Sequence, residues 1–251
     1  MDPQRPAHQE QGALSGALAA RLRRAIIGGE FEPGARLHID QLRMEFGVSL
    51  SPLREALMGL CAERLVETEA QRGFRIPPVS ENGLQEITRL RVALETMALT
   101  EAIQRGDLAW ESAIAAALHR LKRTGRAPSG EGLEEWEAAH RAFHMSLLTA
   151  CSMPLLLHFC SVLHDHSDRY RRMFLKTHSG DRDVPGEHER IAELTMVRDA
   201  EKACALLSQH IERTGENVRI ALTTHPHANL TAERIGHAAR SRANPSGRHR
   251  L

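Results

Sequence analysis

Beyond Pro77-Pro78 the chain repeats apolar residues at three- and four-residue intervals, the spacing of amphipathic helices. It predicts helices over about 80–105, 108–124, 132–151, 154–177, 184–199 and 200–223. Arg105-Gly-Asp107, Gly125-Arg-Ala-Pro-Ser-Gly130 and Ser179-Gly180 punctuate that series as loops. Ahead of the proline pair the pattern changes from element to element. A helix from Ser15 to about Gly28 carries Leu18, Leu22 and Ile26 on one stripe, and Phe31-Glu-Pro-Gly-Ala-Arg-Leu37 reads as a turn with a short extended piece. Ile39-Asp-Gln-Leu-Arg-Met-Glu-Phe46 is a short amphipathic helix that Gly47 ends. Ser51 is the expected N-cap of the next helix, with Pro52 in its first position and Arg54-Glu-Ala-Leu57 continuing it. Arg64-Leu-Val-Glu-Thr68 and Gly73-Phe-Arg-Ile76 are β-capable runs around Glu69-Ala-Gln-Arg72, a hairpin with an Arg-Gly tip.

Two short helices joined by a Gly-containing turn place the second in a major groove, and a following hairpin with a basic tip makes the unit a winged helix-turn-helix. The expected fold is therefore mainly α: a winged helix-turn-helix domain over 12–78, then an all-α antiparallel helical bundle over 79–225. Pro77-Pro78 is the linker, since neither residue donates a backbone hydrogen bond. Residues 1 to about 11, polar and Pro/Gln-rich, and the basic tail over 226–251 are expected to be mostly disordered.

Composition narrows the partners. The apolar content of 41% supports real cores, and only 4% aromatic residues beside abundant Ala, Leu, Arg and Glu favours helix over sheet. Runs such as Pro154-Leu-Leu-Leu157 are too short to cross a bilayer and the N-terminus has no apolar signal region, so a cytoplasmic protein is expected. Cys61, Cys151, Cys160 and Cys204 are scattered, which argues against a disulfide framework or a Cys-rich zinc site and leaves them as small core residues. A net charge of +1 excludes a generally basic nucleic-acid binder. Any such surface must be local, and Arg21-Leu-Arg-Arg24, Arg36, Arg43, Arg54, Arg72 and Arg75 supply one.

These residues resemble the GntR family of regulators, in particular the FadR subfamily with an FCD effector domain. The N-terminal resemblance runs from Leu18 to about Ile76, through Phe46-Gly-Val-Ser49, Pro52-Leu-Arg-Glu-Ala-Leu57 and Gln71-Arg-Gly-Phe-Arg75. The C-terminal resemblance runs through Leu90-Arg-Val-Ala-Leu-Glu95, His140-Arg-Ala-Phe-His144, Glu187-His188 and His210. Trp136 to His144 and Arg169-Tyr-Arg171 resemble the group that includes regulators of glutarate and related short-acid catabolism.

The resemblance implies Arg54 as a DNA contact, with Ser49 and Ser51 at the same helix end and Arg36, Arg43, Arg72 and Gly73 beside them. Guanidinium suits the work because it grips phosphate or guanine bidentately. For any single surface arginine a solvated charge is the alternative. Many relatives carry a base-reading Arg where this chain has Leu50, and leucine can only pack on a thymine methyl, so a different operator is expected.

In the FCD family a metal is held by an Asp or Asn four residues before a His, plus two later His. The resemblance maps these onto His140, His144, His188 and His210, with His140 where the carboxylate would stand. Neutral nitrogen ligands favour zinc, or nickel, over magnesium or calcium. The alternative for a His pair at helical spacing is an ordinary amphipathic face. A small carboxylate effector near the metal would take Arg91 as its anchor, with Arg169 and Arg172 as further candidates and Glu95 supporting the arginine. His158, His164 and His166 read as surface or core residues, with His164 or His166 free to point inward.

The resulting expectation is a ligand-responsive regulator, more often a repressor in this family. It would bind a palindromic double-stranded operator as a homodimer, and effector binding would reorient the helical domain against the Pro77-Pro78 linker. A metal enzyme and a metal-stabilised scaffold are the rival readings. Against the enzyme stand the absence of a His-Glu-x-x-His helix and of an evident activated nucleophile.

Overall fold

The computed structural model describes residues 5–69, 73–125, 131–174 and 183–224, which form two compact units dividing at Ser80/Glu81. The first unit holds α1 (Arg5–Gly28), β1 (Arg36–Leu37), α2 (Ile39–Phe46), α3 (Leu50–Ala62), β2 (Glu67–Glu69) and β3 (Gly73–Arg75). Its core joins Leu18, Leu22 and Ile26 of α1 to Leu53, Leu57 and Leu60 of α3. The antiparallel sheet runs β1-β3-β2, with Leu37 opposite Phe74 on one side and Thr68 opposite Phe74 on the other.

Three local expectations are corrected here. Helix α1 begins at Arg5, so the segment expected to be disordered to about residue 11 is helical. Pro6 is tolerated in a first turn, and Ala, Gln and Glu extend a helix already anchored by Leu18, Leu22 and Ile26. The N-cap position of α3 is Ser49, not Ser51, without a capping hydrogen bond from its side chain, and the helix starts at Leu50. Proline fits throughout the first turn because none of those N–H groups has an intrahelical partner, so Pro52 did not mark the first position. Lastly, Arg64 takes a left-handed turn at φ 57°, so the strand expected from residue 64 starts only at Glu67.

The second unit is helical throughout its described residues: α4 (Glu81–Arg105), α5 (Leu108–Thr124), α6 (Glu131–Leu148), α7 (Pro154–Phe174), α8 (Val184–Met196) and α9 (Ala200–Thr224). A 3-10 turn over Thr149–Cys151 follows α6. Asp107 caps α5 by accepting from Trp110 N at 2.9 Å, and Asp183 caps α8 by accepting from Gly186 N at 3.0 Å. Helix α4 packs on α7 and α9, α5 on α6, and α8 on α9. Their apolar faces enclose Leu99, Ile114, Phe143, Leu147, Ile191 and Leu207. Cys151 and Cys160 lie in that core, while Cys61 and Cys204 are half-buried; all four are free thiols.

Candidate metal centre and nucleic-acid interface

His140 and His144 stand one turn apart on α6, His188 near the start of α8 and His210 on α9. All four are buried, and one ligating atom of each lies within 4.8 Å of the others. His140 Nε2 is 3.2 Å from His144 Nε2. Burial, then the Arg171 charge and the neighbouring imidazoles, hold His140 well below the usual histidine range. Burial and the same neighbours, His140 first, do so for His144. His140 and His144 are thus neutral, the form that binds metal. A compact, buried set of imidazole nitrogens fits a borderline divalent cation such as zinc or nickel.

Each end of the cluster has a charged neighbour. His210 Nδ1 lies 2.8 Å from Glu187 Oε2, and Arg213 Nη1 donates to Glu187 Oε1 at 3.1 Å. On its outer side Glu187 lines an open groove of about 690 Å3 with Asp183, Arg190, Arg213 and Glu216. At the other end Arg171 Nη1 lies 3.3 Å from His140 Nδ1, and the Arg171 guanidinium sits 5.4 Å over the Trp136 ring, which itself stacks on His140.

Around this cluster the interior is charged. Arg91 pairs with Glu95 at 2.6 Å and donates to Ser167 Oγ at 2.9 Å, with His164 Nε2 at 3.4 Å from its other terminal nitrogen. Burial alone would raise the Glu95 carboxyl, but Arg91 and His164 outweigh it and bring it down to about 2. Arg141 bonds Asp165 at 2.5 Å, Arg171 lies 3.0 Å from Asp168, and Arg172 pairs with Glu137. Burial raises the Glu137 carboxyl, and Arg171 and Arg172 only partly oppose it. Charges taken this far from water must be paired, and such a density of them marks a functional interior more than a stabilising one.

In the first unit Gly47 ends α2 in the left-handed region at φ 65°, and α3 then exposes Leu50, Ser51, Arg54 and Met58 along one face. Arg54 makes no ion pair among the described residues. Arg36 lies 3.2 Å from Glu69, Arg43 lies 3.6 Å from Asp40, and Arg75 lies 2.9 Å from Glu67. Gly73, at φ 92°, opens β3 beside the hairpin tip. Exposed basic and apolar side chains at the first turns of a helix that follows a tight turn match a groove-reading element.

Comparison with known proteins decides the lineage. The FCD domain family matches residues 86–213, and the family described as bacterial regulatory proteins, gntR family, matches residues 14–76. The chain belongs to the GntR family and carries an FCD domain. It is 37% identical over 211 residues to an uncharacterised HTH-type transcriptional regulator, BphR, of Paraburkholderia xenovorans (strain LB400), covering 82% of this chain and 86% of that protein. It is 33% identical over 195 residues to the HTH-type transcriptional repressor GlaR of Escherichia coli (strain K12), covering 76% of this chain and 89% of the other. Among solved structures, E. coli McbR/YncC superposes with a TM-score of 0.68 at 21% identity, covering 84% of this chain and 98% of that one, a likeness of fold.

This GntR–FCD chain is a DNA-binding transcriptional regulator, not an enzyme. No helix among its described residues is long and apolar enough to cross a membrane. The structure brings His140, His144, His188 and His210 together, and sets Arg91 and Arg169, both buried, in the same unit. Arg172 is turned to Glu137. Arg91 is engaged through all three of its nitrogens, to Glu95, Ser167 and His164. Arg72 and the tail over 226–251 lie outside the described residues.

Two residues escaped the sequence reading. Arg171 entered only as the end of the Arg169-Tyr-Arg171 resemblance and was not named for the site, whereas Arg169 and Arg172 on either side of it were. His164, fully buried with its Nδ1 lacking a hydrogen-bond partner and its ring 5.6 Å from that of His144, was one of three histidines set aside together.

Proposed function

We propose that the protein is a cytoplasmic repressor that binds a palindromic operator as a homodimer and is modulated by a small carboxylic acid next to a histidine-bound divalent cation. The observation that carries the reading is the buried set His140, His144, His188 and His210, with its ligating atoms within 4.8 Å of one another. A bound zinc or nickel ion would supply the positive charge and coordination that a carboxylate seeks. The protein's own part is to keep the imidazoles neutral and to surround the acid with guanidinium groups, Arg91, Arg169 and Arg172 being the candidates named from sequence. Arg54, Ser49, Ser51 and Gly73, with Arg36, Arg43 and Arg72, form the proposed DNA surface, Arg54 foremost because its charge is uncommitted among the described residues. The acid shifts DNA affinity only as far as it binds the two states differently.

Elemental analysis of the purified protein, followed by operator binding with and without short mono- and dicarboxylic acids, tests this. A stoichiometric divalent metal and an acid-dependent loss of operator binding are expected. DNA binding indifferent to every acid would leave the helical unit a scaffold, and a metal-free protein that responds to an acid would remove the cation from the mechanism.

A further inference from the structure

We propose that the outer partners of two histidines set them apart: Glu187 prepares His210 as a committed cation ligand, whereas Arg171 holds His140 back. The proposal rests on the metal reading above and sharpens it. A guanidinium nitrogen can only donate a hydrogen bond. Arg171 Nη1, 3.3 Å from His140 Nδ1, therefore makes that nitrogen the acceptor and places the single ring proton of His140 on Nε2. This N–H faces His144 Nε2 at 3.2 Å. In that arrangement His140 turns no lone pair toward the centre.

His210 is set up the opposite way. A carboxylate only accepts, so Glu187 Oε2, 2.8 Å from His210 Nδ1, keeps the proton there and leaves Nε2 to ligate. A carboxylate behind a ligating imidazole fixes its orientation and strengthens it as a ligand. Arg213 anchors Glu187 from its other oxygen. One histidine thus has an anion behind it and the other a cation.

Arg171 is well fixed for this role. It is 4% exposed, lies over Trp136 and is within 3.0 Å of Asp168 Oδ1. Its Nη2 is taken up by the Asp168 ion pair, and its buried Nε, which has no hydrogen-bond acceptor, is the donor left for an incoming anion. In place of a fourth protein ligand, this arrangement leaves a place for an anion from solution, flanked by the His140 N–H and the Arg171 guanidinium. His140 and Arg171 then contact the acid, and Arg91, saturated by Glu95, Ser167 and His164, supports the wall.

Cobalt(II) titration of the full chain, followed by visible absorption, tests the division. His140→Ala should leave affinity within about threefold, Glu187→Gln should lower it by about 10–100-fold, His210→Ala by more than about 100-fold, and Arg171→Met should tighten it as His140 joins the ion. The Arg171→Met spectrum should also change, which a merely structural arginine would not produce together with tighter binding. A loss on His140→Ala as large as on His210→Ala would overturn the proposal, and so would weaker cobalt binding by a folded Arg171→Met. The His140→Ala arm decides alone if Arg171→Met does not fold. A native protein that takes up no cobalt would sink the metal reading itself, whereas uptake with equal dependence on all four histidines would sink only the division.

Discussion

At the scale of single residues, the proposed DNA face separates committed from available charge. Arg36, Arg43 and Arg75 each have a carboxylate within 4.0 Å, whereas Arg54 has none among the described residues. Arg54→Ala should therefore weaken operator binding by about 1–3 kcal/mol, read by fluorescence anisotropy, and relax preference at one base position. Leu50, 40% exposed one turn before Arg54, offers hydrocarbon and no hydrogen-bond donor. Selection of bound sequences from a random pool should return a thymine in the position it faces, and deoxyuridine there should weaken binding. Recovery of the common FadR-type half-site would refute this. The turn and the helix were legible from sequence because they are local: Gly47 and the spacing of Leu53, Leu57 and Leu60 dictate them without reference to anything distant, and only the start of the helix was misplaced, by Pro52. The role of Arg171 was not, because it depends on which ring of another helix lies opposite.

At the scale of elements, α4 and α7 show where periodicity stops informing. The positions of all six helices of the FCD unit follow from apolar spacing, yet α7 buries His164, Asp165, Asp168, Arg169 and Arg171, residues that the same rule assigns to water. Only pairing across helices makes that burial tolerable, and pairing is invisible in one-dimensional order. The α4 pair gives the plainest test. Glu95→Gln leaves the Arg91 cation uncompensated and should cost about 3–5 kcal/mol in urea unfolding at neutral pH. The Glu95 carboxyl is lowered from 4.5 to about 2 on folding, so its contribution is complete above the unfolded value and is lost as pH falls through the folded one. The gap between native and variant stability should stay constant above about pH 5 and close as pH approaches 2. A gap that widened on acidification would mean that the carboxyl is not ionised in the native state.

At the scale of the molecule, each unit has its own apolar cluster, one built on Leu22, Leu53 and Leu57, the other on Leu99, Phe143 and Leu207. Calorimetry should resolve two unfolding transitions, and added zinc should raise only one of them, since a ligand stabilises the unit that binds it. A shift of both by the same amount would mean that the units unfold as one. The charged interior of the second unit adds a biological consequence. Four buried imidazoles and a set of ion pairs occupy volume that hydrocarbon would otherwise stabilise, so on the proposed metal reading the unit without the cation has the smaller reserve against opening. Proteases act on opened chains, and a change of one or two kcal/mol alters cellular abundance several-fold. On the proposed metal reading, a cell short of the cation would thus hold less of the regulator as well as an emptier one, and its target genes would register metal supply through protein lifetime.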